Sequence, residues 1–318
     1  MTTFSIVITT FNRLELLKRA VTSALSQTYP CQVVIADNAS TDGTQAYAES
    51  LGQPVTYVRN PTNLHHAGAV NAGAAAATGD WIKLLDDDDY LAPHCIATLA
   101  EAIAQHPQAV ICSCRAAQVN QAGSELSRTP APGPGRVFYV PQSAIHYGML
   151  LEQVPFGTPV QAAVRRDALV QSGGWDEAMT SCDDIDSWIR VAEHGDALFI
   201  NECLAYRTVW PGGYDQKIQL QQRLATNILI KSRIYNRVSP GYRDQLPPMA
   251  TIERYLHLHW GFVAIKQRRL GTALALAAPG LLSPHAWKML LQARRQRAHA
   301  DAQSLIPKRV LVELGVTG

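Results

Sequence analysis

GDWIKLLDDDDYLAP, Gly79 to Pro93, is the stretch on which the reading of the chain turns. Trp81, Ile82, Leu84 and Leu85 form an apolar run of strand length that stops at four carboxylates, Asp86, Asp87, Asp88 and Asp89. Adjacent like charges repel, and at the rim of a hydrophobic core water screens them poorly, so a positive partner is expected there. In an extended chain alternate side chains share a face, which puts Asp86 and Asp88 on one side, able to grip one divalent cation. An all-oxygen ligand set favours Mg²⁺ or Mn²⁺ over zinc or copper. A solvated acidic loop leading into a helix near Pro93 accounts for the same residues, and both readings stand at this point.

Upstream, Phe4 to Thr10 reads as a buried β-branched strand, followed by a helix with Asn12 as N-cap and Leu14, Leu17, Val21 and Leu25 at helical spacing. Gln32 to Ala36 is a second strand that delivers Asp37 and then Asn38 into a turn, a second helix runs to about Leu51, and Val55 to Arg59 is a third strand. An Ala-rich helix from Ala67 to Thr78, carrying Gly68, Asn71 and Gly73, leads into the acidic stretch. Strands alternating with helices over short connections imply βαβ units and a mostly parallel sheet, with ligands bound beyond the strands' carboxyl ends. Thr9 to Phe11, Asp37 and Asp86 to Asp89 then meet at one crevice, although a plain Asx turn explains Asp37 equally well.

Downstream come a helix, Pro93 to Gln105, and a strand, Ala109 to Ser113. The Pro/Gly-rich stretch from Gln121 to Gly135 reads as a mobile surface loop; Val137 to Val140 and Gly157 to Arg166 read as strands. In SGGWDEAMTSCDDIDSWIRVAEHG, Ser172 to Gly195, the spacing of Ile185, Trp188, Ile189 and Ala192 marks one apolar helix face. Asp183 and Asp184 fall in its first turn, where the helix dipole favours carboxylates and capping is an open role for either, and Asp186 with Arg190 reads as a surface pair.

From Gln216 onward the pattern is helical: Ile218 to Val238, Ile252 to Arg269, Leu270 to Leu281 and His285 to His299, with a soft boundary near Tyr214. The clusters Lys266, Arg268, Arg269 and Arg294, Arg295, Arg297 suit a solvated face of a helical bundle or contact with an anionic membrane surface.

The 318 residues hold one large domain or a domain with an appendage, and 47% apolar against 17% charged residues is the balance of a globular protein. A formal charge of +2, with no basic, aromatic-interleaved stripe in the first two thirds of the chain, argues against nucleic acid as a partner. No signal-peptide pattern or membrane-length apolar run is read, and six cysteines without zinc-site spacing read as reduced cytosolic thiols, placing the protein in the cytoplasm.

Taken together, TTFNR at Thr9 to Arg13, SALSQTYP at Ser23 to Pro30, DNASTDGT at Asp37 to Thr44, the Gly68 and Asn71 spacing, and LDDDD at Leu85 to Asp89 resemble inverting family-2 glycosyltransferases of the GT-A fold. GGWDE and DDIDSWIRVAEHG look like that family's acceptor-side motif. The resemblance implies an α/β GT-A domain over 1–215 with a helical extension over 216–318. It implies a metal-dependent, inverting transfer of a sugar from a UDP- or dTDP-sugar to a carbohydrate or lipid-linked acceptor.

Carried over position by position, it has Thr9, Phe11 and Arg13 line the nucleotide pocket with Asn38, Gly68 and Asn71, and Asp37 accept a hydrogen bond from the base imide. Asp86 and Asp88 correspond to the DxD pair, with Asp88 as direct metal ligand and Asp87 near the sugar, and Asp184 to the catalytic base. The chain departs from the pattern at His65, where the family often has Gly, and at Trp210-Pro211-Gly212-Gly213, where many members have His-Pro-Gly-Ser. A catalytically silent nucleotide-sugar-binding protein of the same fold is the competing reading.

Overall fold

The computed structural model describes residues 2–210 and 218–302, with side chains through residue 293. Among them the chain divides into two compact units, one within Met1–Ile145 and Val154–Pro211, the other within His146–Gln153 and Gly212–Gly318. The expected boundary near Tyr214, the residues Pro211, Gly212 and Gly213, and the side chains of Arg294, Arg295 and Arg297 lie outside the described residues.

The first unit is a helix-flanked sheet. Its elements run β1 (Phe4–Thr10), α1 (Leu14–Leu25), β2 (Gln32–Asp37), α2 (Thr44–Ser50), β3 (Val55–Arg59), α3 (His65–Ala76), β4 (Trp81–Asp86), β5 (Tyr90–Leu91), α4 (Cys95–Gln105), β6 (Ala109–Val119), β7 (Glu125–Arg128) and β8 (Val137–Val140). Helix α5 (Gln142–Leu150) spans the division, and β9 (Ala162–Arg165), α6 (Arg166–Gln171), α7 (Asp183–Val191) and β10 (Asp196–Thr208) follow. The strand order is β3-β2-β1-β4-β9-β6-β10-β5. The expected parallel sheet occupies β3-β2-β1-β4, where short βα connections force parallel pairing. Beyond β4 the sheet is mixed, because β9 runs antiparallel to both β4 and β6.

Register positions the site. Thr10 pairs with Asp37, and Thr9 pairs with Asp86, so β1, β2 and β4 end level with one another. The wholly apolar centres of these strands, Ile6 to Ile8, Val33 to Ile35 and Leu84 to Leu85, are buried on both faces, as helices on each side of a parallel sheet require.

Several elements differ from the sequence reading. Strand β10 went unread because bulges between Ile200 and Ala205 disrupt its alternation. The stretch read as a mobile loop contains β7, paired with β6. Asn12 does not cap α1: it sits at φ +52 and its Oδ1 accepts the Thr41 N–H at 2.7 Å, while Asp42 takes the Leu14 N–H at 2.9 Å. Asp186 is fully buried, so its pair with Arg190 at 2.7 Å is an interior one. The Arg190 guanidinium also donates to the carbonyls of Ser172 and Gly174 at 2.6 Å, tying the GGWDE loop to α7.

The second unit contains helices α8 (Leu220–Arg237), α9 (Pro240–Arg243), α10 (Met249–Lys266), α11 (Leu270–Leu281) and α12 (Pro284–Ala302). No helix among the described residues is long and apolar enough to cross a membrane.

Candidate functional site

The acidic stretch does not continue as a strand. The Asp89 N–H donates to the Asp86 carbonyl at 3.0 Å, a tight turn that ends β4 at Asp86. Asp86 and Asp88 therefore do not share a face by strand alternation, as an extended chain would have it; the turn decides where each carboxylate points.

Asp86 accepts the Thr9 hydroxyl at 3.0 Å and approaches His66 Nε2 at 3.0 Å. Asp87 is fully buried, hydrogen-bonded by Thr10 at 2.8 Å and ion-paired with Arg13 at 2.8 Å. Asp88 Oδ2 accepts from Arg13 and from the Trp210 indole N–H, both at 2.9 Å. Its backbone carbonyl accepts from Arg19 and the Thr208 hydroxyl. Asp89 is buried and takes the Thr208 N–H at 2.7 Å.

The electrostatic cost is visible in the acid–base balance. Burial first, then Asp88, pushes the Asp87 carboxyl up to about 7, with Arg13 pulling the other way. Burial and Asp86 likewise raise Asp88, and burial with Asp88 raises Asp89 well above the carboxylate range. Asp86 goes down instead, because the opposing effect of its burial is outweighed by His66, Thr9 and Arg13.

His66 is the residue the sequence reading missed. It occupies the first turn of α3, contacts Asp86 through Nε2 and Asp183 Oδ2 through Nδ1 at 2.9 Å, and stands edge-on to Trp175 at 5.2 Å. Two carboxylates, one on each nitrogen, both accept, so both nitrogens must donate and the ring is an imidazolium. Burial alone would lower its pKa, but Asp86 and Asp183 raise it well above the usual value. The only sequence signal was a second histidine opening an Ala-rich helix.

His66 thereby joins the end of β4 to the first turn of α7, where Asp184 is half-buried and takes the Ile185 N–H at 2.7 Å. Burial, then Asp183, pushes Asp184 up to about 7. At neutral pH this carboxyl is poised between its forms, the property a general base requires.

The remaining expected residues hold the frame. Thr9 bridges to Asp86, and Phe11, exposed just past β1, faces solvent. Asp37 is fully buried, taking the Ser40 N–H at 2.9 Å and the Tyr57 hydroxyl at 2.7 Å. Asn38 donates to Asn63 and to the His65 carbonyl, both at 2.8 Å, and accepts from Leu64 at 2.9 Å. A Cβ at Gly68 would lie 2.5 Å from the Leu64 Cβ, so glycine permits the close turn into α3. Asn71 exchanges bonds with the Trp175 backbone at 2.8 and 3.0 Å. His65 has φ +59, which explains why glycine suits its position.

The family model Glycosyl transferase family 2 matches residues 5–173, more than half of the chain. An uncharacterized glycosyltransferase of Haemophilus influenzae is 27% identical over 209 residues, 64% of this chain and 67% of its own length. A GalNAc(5)-diNAcBac-PP-undecaprenol beta-1,3-glucosyltransferase of Campylobacter jejuni is 28% identical over 106 residues, 32% of this chain and 34% of that protein. The chain spans 31% of the Nostoc glycosyltransferase alr2836, to which it is 36% identical over 101 residues. Among solved structures, S. aureus TarS 1-349 in complex with UDP-GlcNAc superimposes with TM-score 0.64 at 16% identity, covering 96% of this chain and 93% of that one. The Pyrobaculum calidifontis mannosyltransferase PcManGT with GDP-Man and Mn²⁺ gives 0.57 at 21% identity, covering 95% and 81%. With the family match spanning β1 through the start of the GGWDE loop and the fold shared with these neighbours, the chain belongs to glycosyl transferase family 2 and has the GT-A fold.

Proposed function

We propose that this glycosyltransferase moves a sugar from a UDP- or dTDP-sugar to a glycan or lipid-linked acceptor by a single, inverting displacement with Asp184 as base. One observation carries the reading: His66 holds the strand-end carboxylate Asp86 and the helix-start carboxylate Asp183 on opposite nitrogens, and Asp184 adjoins Asp183. A departing diphosphate needs positive charge, whereas an attacking hydroxyl needs a base, and one such attack inverts the anomeric centre.

Arg13 lies between the acidic turn and solvent and is assigned to the diphosphate; Thr9 and Phe11 complete the nucleotide-facing set. Asp37 is fully buried, so it reads the base imide only if the surrounding chain parts to expose a free lone pair of its carboxylate. Asp87 acts by fixing Arg13, and Asn38, Gly68 and Asn71 act by shaping the loops around α3.

The donor set fits Mg²⁺ or Mn²⁺, because Asp86 and Asp88 offer only oxygen. Among the described residues no ready-made cluster of three ligands exists, so Asp86 and Asp88 would hold the ion together with groups of the donor. When bound, the ion neutralises charge on the leaving diphosphate. Trp210 stands where many relatives have His; its indole can donate to Asp88 but cannot ligate a metal.

That substitution is also the observation favouring the second reading, a silent nucleotide-sugar binder. We assign 1–215 to the catalytic domain and 216–318 to a helical extension. We place the protein in the cytoplasm, in keeping with six free cysteines.

Calorimetry with UDP, dTDP, GDP and CDP, in Mn²⁺ and in EDTA, tests the donor and metal. UDP should bind more tightly with Mn²⁺, and Asp88→Ala should erase the difference; unchanged metal dependence in that variant moves the site elsewhere. Intact UDP binding without donor hydrolysis or transfer would establish the silent reading.

A further inference from the structure

Helix α11, LGTALALAAPGL, contains no charged residue. Its inner face is already satisfied: Ala273, Leu276 and Gly280 are buried, and Gly261 of α10 lies so close that an added Cβ would meet the Ala277 Cβ at 2.7 Å. Yet its outer face is apolar too. Leu270 and Leu274 are 71% and 67% exposed, Leu281 is exposed beside them on the same stripe, and Leu282 just after the helix is 96% exposed. Ala275, Ala278 and Pro279 fill the rest of that face. An all-round apolar helix belongs in a core or in contact with lipid, and an exposed apolar patch marks an interaction surface.

Charge identifies the occupant. From Arg254 to Ala300 the sequence holds eight Lys and Arg residues and no Asp or Glu. Lys266, Arg268 and Arg269 are exposed at the amino-terminal edge of the leucine stripe, and Lys288 follows it on α12. A protein partner or second copy would have to supply acidic residues opposite these cations; this acid-free segment has none for a symmetric contact. A surface of anionic lipid headgroups over hydrocarbon presents both halves of the complement, phosphate for the cations and acyl chain for the leucines. Twelve residues extend about 18 Å, too short to span a bilayer but suited to lie in its interface.

We propose that the outer face of α11, with the flanking cations, is a docking surface for an anionic membrane. The surface belongs to the second unit and shares no residue with the donor site of the first, so each can fail alone.

Flotation of the full chain with extruded vesicles tests it, using phosphatidylcholine alone and phosphatidylcholine mixed with phosphatidylglycerol. The protein should rise with the anionic vesicles, less so as salt is added, and remain behind with the neutral ones. Leu270→Ser with Leu274→Ser should lower binding on the order of tenfold, and Arg268→Gln with Arg269→Gln by a similar factor. Both pairs are exposed, so thermal unfolding and UDP binding in buffer should match the parent. The proposal is overturned if the parent ignores anionic vesicles or if neither pair weakens binding. It is overturned equally if the leucine pair abolishes a dimer seen by light scattering while vesicle binding is absent, which would give the face to a second copy. Vesicle binding without UDP binding would uphold the docking surface and refute the reading of the donor site.

Discussion

The carboxyl end of β4 and the first turn of α7 both crowd carboxylates, and they are held in opposite ways. At β4, Arg13 pairs with Asp87 and Asp88, Arg19 and Thr208 seize the Asp88 backbone, and the Thr208 N–H caps Asp89. At α7, Asp186 is clamped by Arg190, Asp183 leans on His66, and Asp184 has, among the described residues, only the adjacent Ile185 N–H. The first cluster is a cross-braced platform. The second leaves one carboxyl lightly held and raised to about 7. Rigidly held carboxylates suit the grip of a divalent cation that would face a diphosphate, whereas a proton acceptor needs a pKa near the working pH.

The largest effect is expected at Asp184. Asp184→Asn keeps the shape and removes the proton acceptor, so transfer should fall about 10²–10⁴-fold while UDP affinity stays near parental. Loss in Asp183→Asn with activity retained in Asp184→Asn would move the base by one residue.

His66, the link between the clusters, comes next. His66→Ala leaves Asp86 and Asp183 facing each other without a shared donor, and transfer should drop about 10–100-fold, the usual consequence of losing such a supporting partner. His66→Gln, which still donates to one carboxylate, should recover part of the rate. A merely structural role would instead appear as equal loss of folding stability and activity in both variants.

A smaller effect follows from pH. Because the Asp184 carboxyl is raised to about 7, its ionised fraction, and with it the rate, should rise about tenfold between pH 6 and pH 8. The sign is fixed by the role, since a base works only when deprotonated. A flat profile over this range, with chemistry limiting, would remove Asp184 from the proton transfer.

The smallest effect lies at His65, whose φ of +59 is left-handed. His65→Gly relieves that conformation while keeping the backbone bonds to Asn63 and Asn38, and should raise stability by about 1 kcal/mol or less, read as a higher Tm. Destabilisation would show that the imidazole makes a contact worth more than the strain.

Local pattern alone determined the strands β1 to β4, most helices and the level ends that bring Thr9, Asp37 and Asp86 together. In a parallel βαβ sheet, periodicity and short connections leave little freedom. The same residues carried the family resemblance, and the family match covers them. What tertiary structure decided depends on partners far apart in sequence. His66 meets Asp183 across 117 residues, Trp210 meets Asp88 across 122, and the Thr208 N–H meets Asp89 across 119. No spacing rule reaches that far, because such contacts are set by where β10 and α7 pack. Asp186 looked like a surface ion because its i, i+4 pairing with Arg190 is the same on an exposed or a buried helix face; only packing distinguishes them. The exposed leucines of α11 were hidden for the converse reason: an apolar run reads as core until the fold shows which of its faces has nothing packed against it.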